Sequence, residues 1–204
     1  MGKYISIIVL LACTLKTNAI DYEFMLKLGV TNTNERFEEE TNNDNSKLLT
    51  GFDAGAIFGF YPIEKFGIQV EPGIISKGSE HDNLFGYDNN TYRLFYASMP
   101  VLINYKAYKK LHIFAGPEFN RKVDAIVYLD NSKIDGNKYY NYKNETGIQA
   151  GISYTLLKSW YFAVKYSRGL TPSSDLKADE TGIPQESSNY YNQGVIVNVG
   201  WKIF

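Results

Sequence analysis

The feature that most constrains this chain is a spacing. Eight segments alternate apolar with small or polar side chains at a period of two, and the connections between them alternate short and long. A period of two places successive side chains on opposite faces of a β-strand. Near 22–31, Tyr22, Phe24, Leu26, Leu28 and Val30 share one face, and Glu23, Met25, Lys27, Gly29 and Thr31 the other. Near 51–61, Phe52, Ala54, Ala56, Phe58 and Phe60 oppose Asp53, Gly55, Ile57, Gly59 and Tyr61. The same alternation recurs near 66–75, 95–105, 111–120, 147–154, 160–167 and 194–204. Each segment has about the ten residues that a tilted strand needs to cross a bilayer.

Three connections are short, Pro62–Lys65, Lys106–Lys110 and Leu156–Ser159. Four are long and polar, roughly 32–49, 78–91, 123–143 and 169–191. An eight-stranded antiparallel up-and-down transmembrane β-barrel gives this pattern, with tight turns at one rim and extended loops at the other. Closure of an even number of strands leaves no edge for lipid to strip of hydrogen bonds. Phe60, Phe66, Tyr105, Tyr108, Trp160, Trp201 and Phe204 then fall near one interface, as an aromatic girdle.

Alternation leaves the facing direction open, because a soluble secreted ligand-binding barrel turns its apolar side chains inward. The polar faces here are crowded with Gly and carry few long charged side chains, unlike a solvated exterior. The apolar faces lack charge along their centres, where a charge facing lipid would cost about 2–4 kcal/mol. Both features, with the loop asymmetry, favour lipid outside. Mean hydropathy is −0.28, which would pass for a soluble protein. A spanning barrel hides its lipid face in such an average. The net charge of −1 lacks the basic surface that a nucleic-acid binder needs.

Met1 to Ala19 reads as a cleaved signal peptide: Lys3, an apolar run from Ile5 to Leu15, then Thr17-Asn18-Ala19 before a cut at Ile20. The alternative is lipoprotein cleavage at Cys13, after Leu10-Leu11-Ala12. Cleavage after Ala19 leaves residues 20–204 as the barrel domain and removes the one cysteine. It also lowers the basic count from 21 to 19 against 22 acidic residues, a net of −3.

The stretches QVEPGIISKG (Gln69–Gly78) and MPVLINYKAYKKLHIFAGPEFNRKVDA (Met99–Ala125) resemble the PorT-like outer-membrane β-barrel family of Gram-negative bacteria. GIQAGISYTL (Gly147–Leu156), WYFAVKYSRGLT (Trp160–Thr171) and the ending VNVGWKIF continue the resemblance. Lys165 stands where that family commonly has Arg. The resemblance implies an integral protein of the bacterial outer membrane, surrounded by lipid and lipopolysaccharide. Members are often described as porins, and one branch supports protein secretion.

Glu71, Glu118 and Lys165 share the inward face at similar depth, with Gln69, Lys122 and Lys77 nearby. A lumen of eight strands is just wide enough for side chains to fill it. These groups are expected to pair as a structural plug rather than a proton or ion path, which leaves a narrow porin-like channel as the alternative. His81 and His112 are expected at opposite ends, without the carboxylate or histidine spacing of a metal site. A hydrolytic triad through His81 would need Ser and Asp from other loops. No Gly-rich phosphate loop leads from a strand into a helix, so no cofactor is expected. The run Glu38-Glu39-Glu40 reads as a solvated tip able to hold divalent cations that bridge lipopolysaccharide. Tyr139, Tyr140, Tyr142, Tyr190 and Tyr191 are candidate contacts for a protein partner at the extracellular loops. The expectation is a monomeric, non-enzymatic barrel acting through those loops or as an envelope-structural or secretion-associated component.

Overall fold

The computed structural model describes residues 20–37, 46–84, 87–129, 132–136, 140–156, 159–176 and 189–203. Residues 1–19, Glu38–Glu40, Tyr139 and Phe204 lie outside them. Twelve strands form one sheet: β1 Asp21–Phe37, β2 Ser46–Ile63, β3 Phe66–Val70, β4 Gly73–Leu84, β5 Tyr87–Tyr108 and β6 Leu111–Leu129 in the first part. β7 Ser132–Asp135, β8 Tyr140–Tyr142, β9 Glu145–Leu156, β10 Trp160–Gly169, β11 Ser174–Leu176 and β12 Tyr190–Lys202 complete it. All pairings are antiparallel, and β1 pairs with β12 from Met25 against Lys202 to Phe37 against Tyr190, closing the ring.

Eight staves make the wall: β1, β2, β3 with β4, β5, β6, β9, β10 and β12. The third stave is split at Glu71-Pro72, since Pro72 has no N–H to give the ladder. Continuity is kept by neighbours. Glu71 N donates to Pro100 O at 3.0 Å and Ala56 N to Pro72 O at 2.9 Å.

The faces settle which solvent lies outside. Ile103 is 67 % exposed and Leu28 65 %, while Lys165 is 1 % and Glu71 0 %. A soluble binding barrel would have the reverse, so the exterior is a lipid face. On β1 the exposed apolar row ends at Val30, and Asn32, Asn34 and Arg36 take over the outer face. The short-turn rim, the periplasmic one in an outer-membrane barrel, carries the aromatic girdle, with ring pairs Tyr22–Phe60, Phe66–Tyr105 and Trp160–Trp201 at centroid distances of 5.4, 4.8 and 4.8 Å.

The long connections differ from expectation. The β1–β2 ladder reaches Thr33–Leu49, and the β4–β5 ladder runs on to Leu84–Tyr87, well inside stretches expected as loops. Above the lipid both strand faces meet polar surroundings, so the alternation fades while backbone pairing continues.

One seam needs side-chain help. The β2–β4 register shifts between Leu48–Ser79 and Asp53–Ile75. Thr31 and Thr33 reach across from β1 to seal it. Thr31 Oγ1 donates to Ser76 O at 2.7 Å, and Thr33 Oγ1 donates to Gly78 O while accepting from Gly78 N at 2.9 Å. Gly51 lets Thr31 pass, as a Cβ there would lie 2.6 Å from its hydroxyl. Gly78 has φ +143°, and its Cβ would sit 1.9 Å from Tyr92 O, so only glycine fits.

Candidate functional site

Most inward residues of the bore are buried, and a buried charge there must find a partner within the bore. Nearest the periplasm, Glu23 receives the Lys202 ammonium at 2.9 Å. His112 on β6 is buried and lies 3.0 Å from Asn104 Oδ1, while Asn104 Nδ2 donates to Gln69 Oε1 at 2.8 Å. Gln69 then donates to Glu71 Oε1 at 2.5 Å.

Glu71 is the centre of the lower network. Its other oxygen takes the Lys165 ammonium and, at 2.9 Å, that of Lys27. Lys27 also reaches Asp53 at 2.7 Å, and Asn198 donates to Asp53 at 3.0 Å. Lys165 on β10 and Glu71 between β3 and β4 stand four staves apart in a ring of eight, so this pair spans the bore. Met25, Ile57, Leu102, Phe114, Tyr161 and Ala163 pack the space around it.

A second network lies further out. Lys77 places its three N–H donors on Glu145 at 2.8 Å, Glu118 at 2.9 Å and Ser167 at 3.2 Å. Ser167 donates to Glu118 at 2.6 Å, and Asn120 and Asn192 donate to Glu145 at 2.9 and 2.7 Å. Ile75, Tyr92, Leu94, Tyr96, Ala125, Val127, Tyr142 and Ile196 form the apolar packing at this end.

Beyond the lipid belt, Glu35 on β1 accepts from Ser79 Oγ at 2.9 Å and Ser173 Oγ at 3.2 Å. Ser79 Oγ also lies 2.8 Å from His81 Nε2. Burial raises the Glu35 carboxyl to about 7, opposed by the Ser79 and Ser173 hydrogen bonds and reinforced by the Glu145 charge. His81 therefore meets a serine from its own strand, but Glu35 contacts the hydroxyl, whereas a triad carboxylate orients the imidazole. Ser79 is fully buried.

Of the residues expected in the lumen, Gln69, Glu71, Glu118 and Lys165 all lie in these networks. Lys122 keeps the inward register opposite Tyr96 but is only half-buried, and its N–H donates to Asn144 Oδ1 at 3.0 Å. The β5–β6 register skips the next residue, Val123, between Tyr96–Lys122 and Phe95–Asp124. Lys77, expected near this group, is the hub of the outer network; Lys27 supplies a further cation, while Asp53, Glu145 and Glu35 supply further carboxylates. Lys27 and Asp53 could be read as inward from alternation; Glu35 and Glu145 fall beside or within expected loops, where that signal is lost. Among the described residues, no group of three or more His, Cys, Asp or Glu side chains could hold a metal ion.

The tyrosines divide. Tyr142 is only 5 % exposed and packs inside the outer cluster, so it is not a surface contact. Tyr140 lies in β8, paired with Leu176. Tyr190 and Tyr191 are half-buried on β12, and Tyr191 lines a groove on the outer wall with Arg36 and Arg168.

Residues 16–175 match the model of the outer membrane protein beta-barrel domain family. The chain belongs to that family. It is accordingly a protein of the Gram-negative outer membrane, consistent with its inverted faces. Members of the outer membrane barrel class recur among solved structures with similar folds. Neisserial surface protein A (NspA) superposes with a TM-score of 0.56 at 11 % identity, covering 88 % of this chain and 97 % of that one. Outer membrane protein AlkL, solved in lipid bilayers, gives 0.50 at 10 % identity, covering 92 % and 93 %. Ail, the attachment invasion locus protein of Yersinia pestis, gives 0.48 at 11 % identity, covering 90 % and 99 %. No curated relative matches the sequence. At these identities the likeness is one of fold alone.

Proposed function

We propose that this protein is a closed, non-enzymatic barrel that serves the outer membrane through the part it raises above the lipid, as an envelope-structural or secretion-associated component. The observation that carries this reading is the Glu71–Lys165 ion pair across the bore, flanked by fully buried Lys77 and Glu118. A pore would have to part these pairs and leave several charges unpaired in a low-dielectric interior. The PorT-like stretches noted in the sequence support the secretion-associated version. The fixed networks and the buried Ser79 support a non-catalytic role. No specific observation favours the narrow channel.

Planar-bilayer recording of the purified, reconstituted chain tests the closed state. The expected trace is quiet, without steady ohmic current across physiological voltages. A large, steady conductance would overturn the reading and assign solute passage to the lumen.

A further inference from the structure

The sequence holds four arginines, Arg36, Arg93, Arg121 and Arg168. The fold sets all four on outward-facing positions just beyond the lipid belt. Arg93 follows Phe95 up β5, Arg121 follows Phe119 up β6, Arg168 follows Tyr166 up β10, and Arg36 stands above Asn32 and Asn34 on β1. The periplasmic rim holds none; Lys65, Lys106, Lys109 and Lys110 carry the positive charge there. Arginine differs from lysine in its rigid fork of donors, which matches phosphate oxygens two at a time.

Two of the four frame a built groove. Arg36 pairs in register with Tyr191, and Arg168 with Gln193 on one side and Ile148 on the other, so the two guanidiniums flank β12. Between them lies a groove of about 310 Å³, lined also by Leu170. Tyr166 hydroxyl donates to Gln193 Oε1 at 3.3 Å and steadies its floor. Ile148 and Leu170 are half exposed and continue the apolar belt upward into the groove. Among the described residues, neither Arg36 nor Arg168 forms an ion pair with a carboxylate. Arg93, by contrast, donates to Thr50 O at 3.1 Å.

We propose that the Arg36–Arg168 groove binds a phosphorylated glycolipid headgroup of the outer leaflet, of the lipid A type. The phosphate sits on the two guanidiniums, a sugar lies against Tyr191, and an acyl chain descends over Ile148 into the belt. Charge complementarity and the position of the groove at the lipid boundary select this occupant over a soluble anion. The site depends on the outer-membrane location and not on whether the lumen conducts.

The test uses the refolded full-length chain in phosphatidylcholine nanodiscs, titrated with bisphosphorylated lipid A in EDTA so that divalent cations cannot bridge. Heat-modifiable gel migration checks that each variant is folded. Loss of two charge-assisted contacts in Arg36→Gln/Arg168→Gln should weaken binding about tenfold or more, and dephosphorylated lipid A should show a similar loss on the wild type. Arg36→Lys/Arg168→Lys should recover only part of it. Unchanged affinity in the double Gln variant overturns the site. So does an equal loss in Arg93→Gln/Arg121→Gln, which would make the effect one of overall charge. Equal affinity for phosphatidylglycerol would overturn the glycolipid assignment.

Discussion

At the residue scale, Lys77 holds the most exacting position in the molecule. Its ammonium satisfies Glu118, Glu145 and Ser167 at once, from a fully buried position. Lys77→Met should cost about 3–5 kcal/mol, since two carboxylates would be left buried without their cation. Adding Glu118→Gln and Glu145→Gln should return most of that loss. Urea unfolding in detergent micelles compares the three proteins, and failure of the triple variant to recover would show that packing, not charge, sets the cost. Glu35 is a different case because its burial favours the protonated form. Its folded value near 7 lies above the ordinary 4.5, so its contribution is complete below pH 4.5 and is lost as pH rises through about 7. The full swing is about 3 kcal/mol. Glu35→Gln should therefore melt higher than the wild type at pH 8 and close to it at pH 4.5. Parallel melting curves at both pH values would show that Glu35 stays charged throughout.

At the element scale, the sequence shows some features plainly and hides others for physical reasons. The eight lipid-crossing staves and their inward and outward faces are legible because two solvents act on opposite sides of each strand. Met25 and Lys27 go inward and Leu26 and Leu28 outward as alternation requires. Strand ends above the lipid are not legible, because Asn32, Asn34 and Thr33 all suit water and the contrast disappears. Nor does alternation carry stagger. That Lys27, Asp53 and Glu71 meet depends on how β1, β2 and the split third stave are offset, which the ladder shows and the pattern does not. Bulges are silent as well: nothing near Val123 announces the slip that turns Asp124 outward and Ala125 inward. Tyr142 was obscured similarly, since a tyrosine in a polar stretch looks exposed until the rim strands fold it inward.

At the scale of the whole molecule, stability and closure come from one arrangement. The bore is crossed by pairs that join staves distant in sequence, such as Lys165 to Glu71 and Ser173 to Glu35. Each removes an open path while tying together strands that do not share a ladder. If residues 79–91 of the β4–β5 hairpin are trimmed to a short turn, the belt and both lower networks keep their partners. Such a variant should still assemble and show the heat-modifiable shift, while any envelope or secretion phenotype of a deletion strain should go unrescued. Full rescue by the trimmed protein would move the function down into the barrel.

The β4–β5 ladder has one more consequence. Residues 87–94 of β5 continue past Phe95 as paired strand to the Leu84–Tyr87 rung. Eight residues of strand measure about 26 Å, or roughly 20 Å of height at a barrel's tilt. A hydrogen-bonded ribbon of that height is a stiff post standing in the sugar layer of the cell surface. Large molecules kept from the lipid by that layer can still meet the top of the post. Whatever this protein encounters from outside, it meets at a fixed distance above the bilayer and not on a swinging tether.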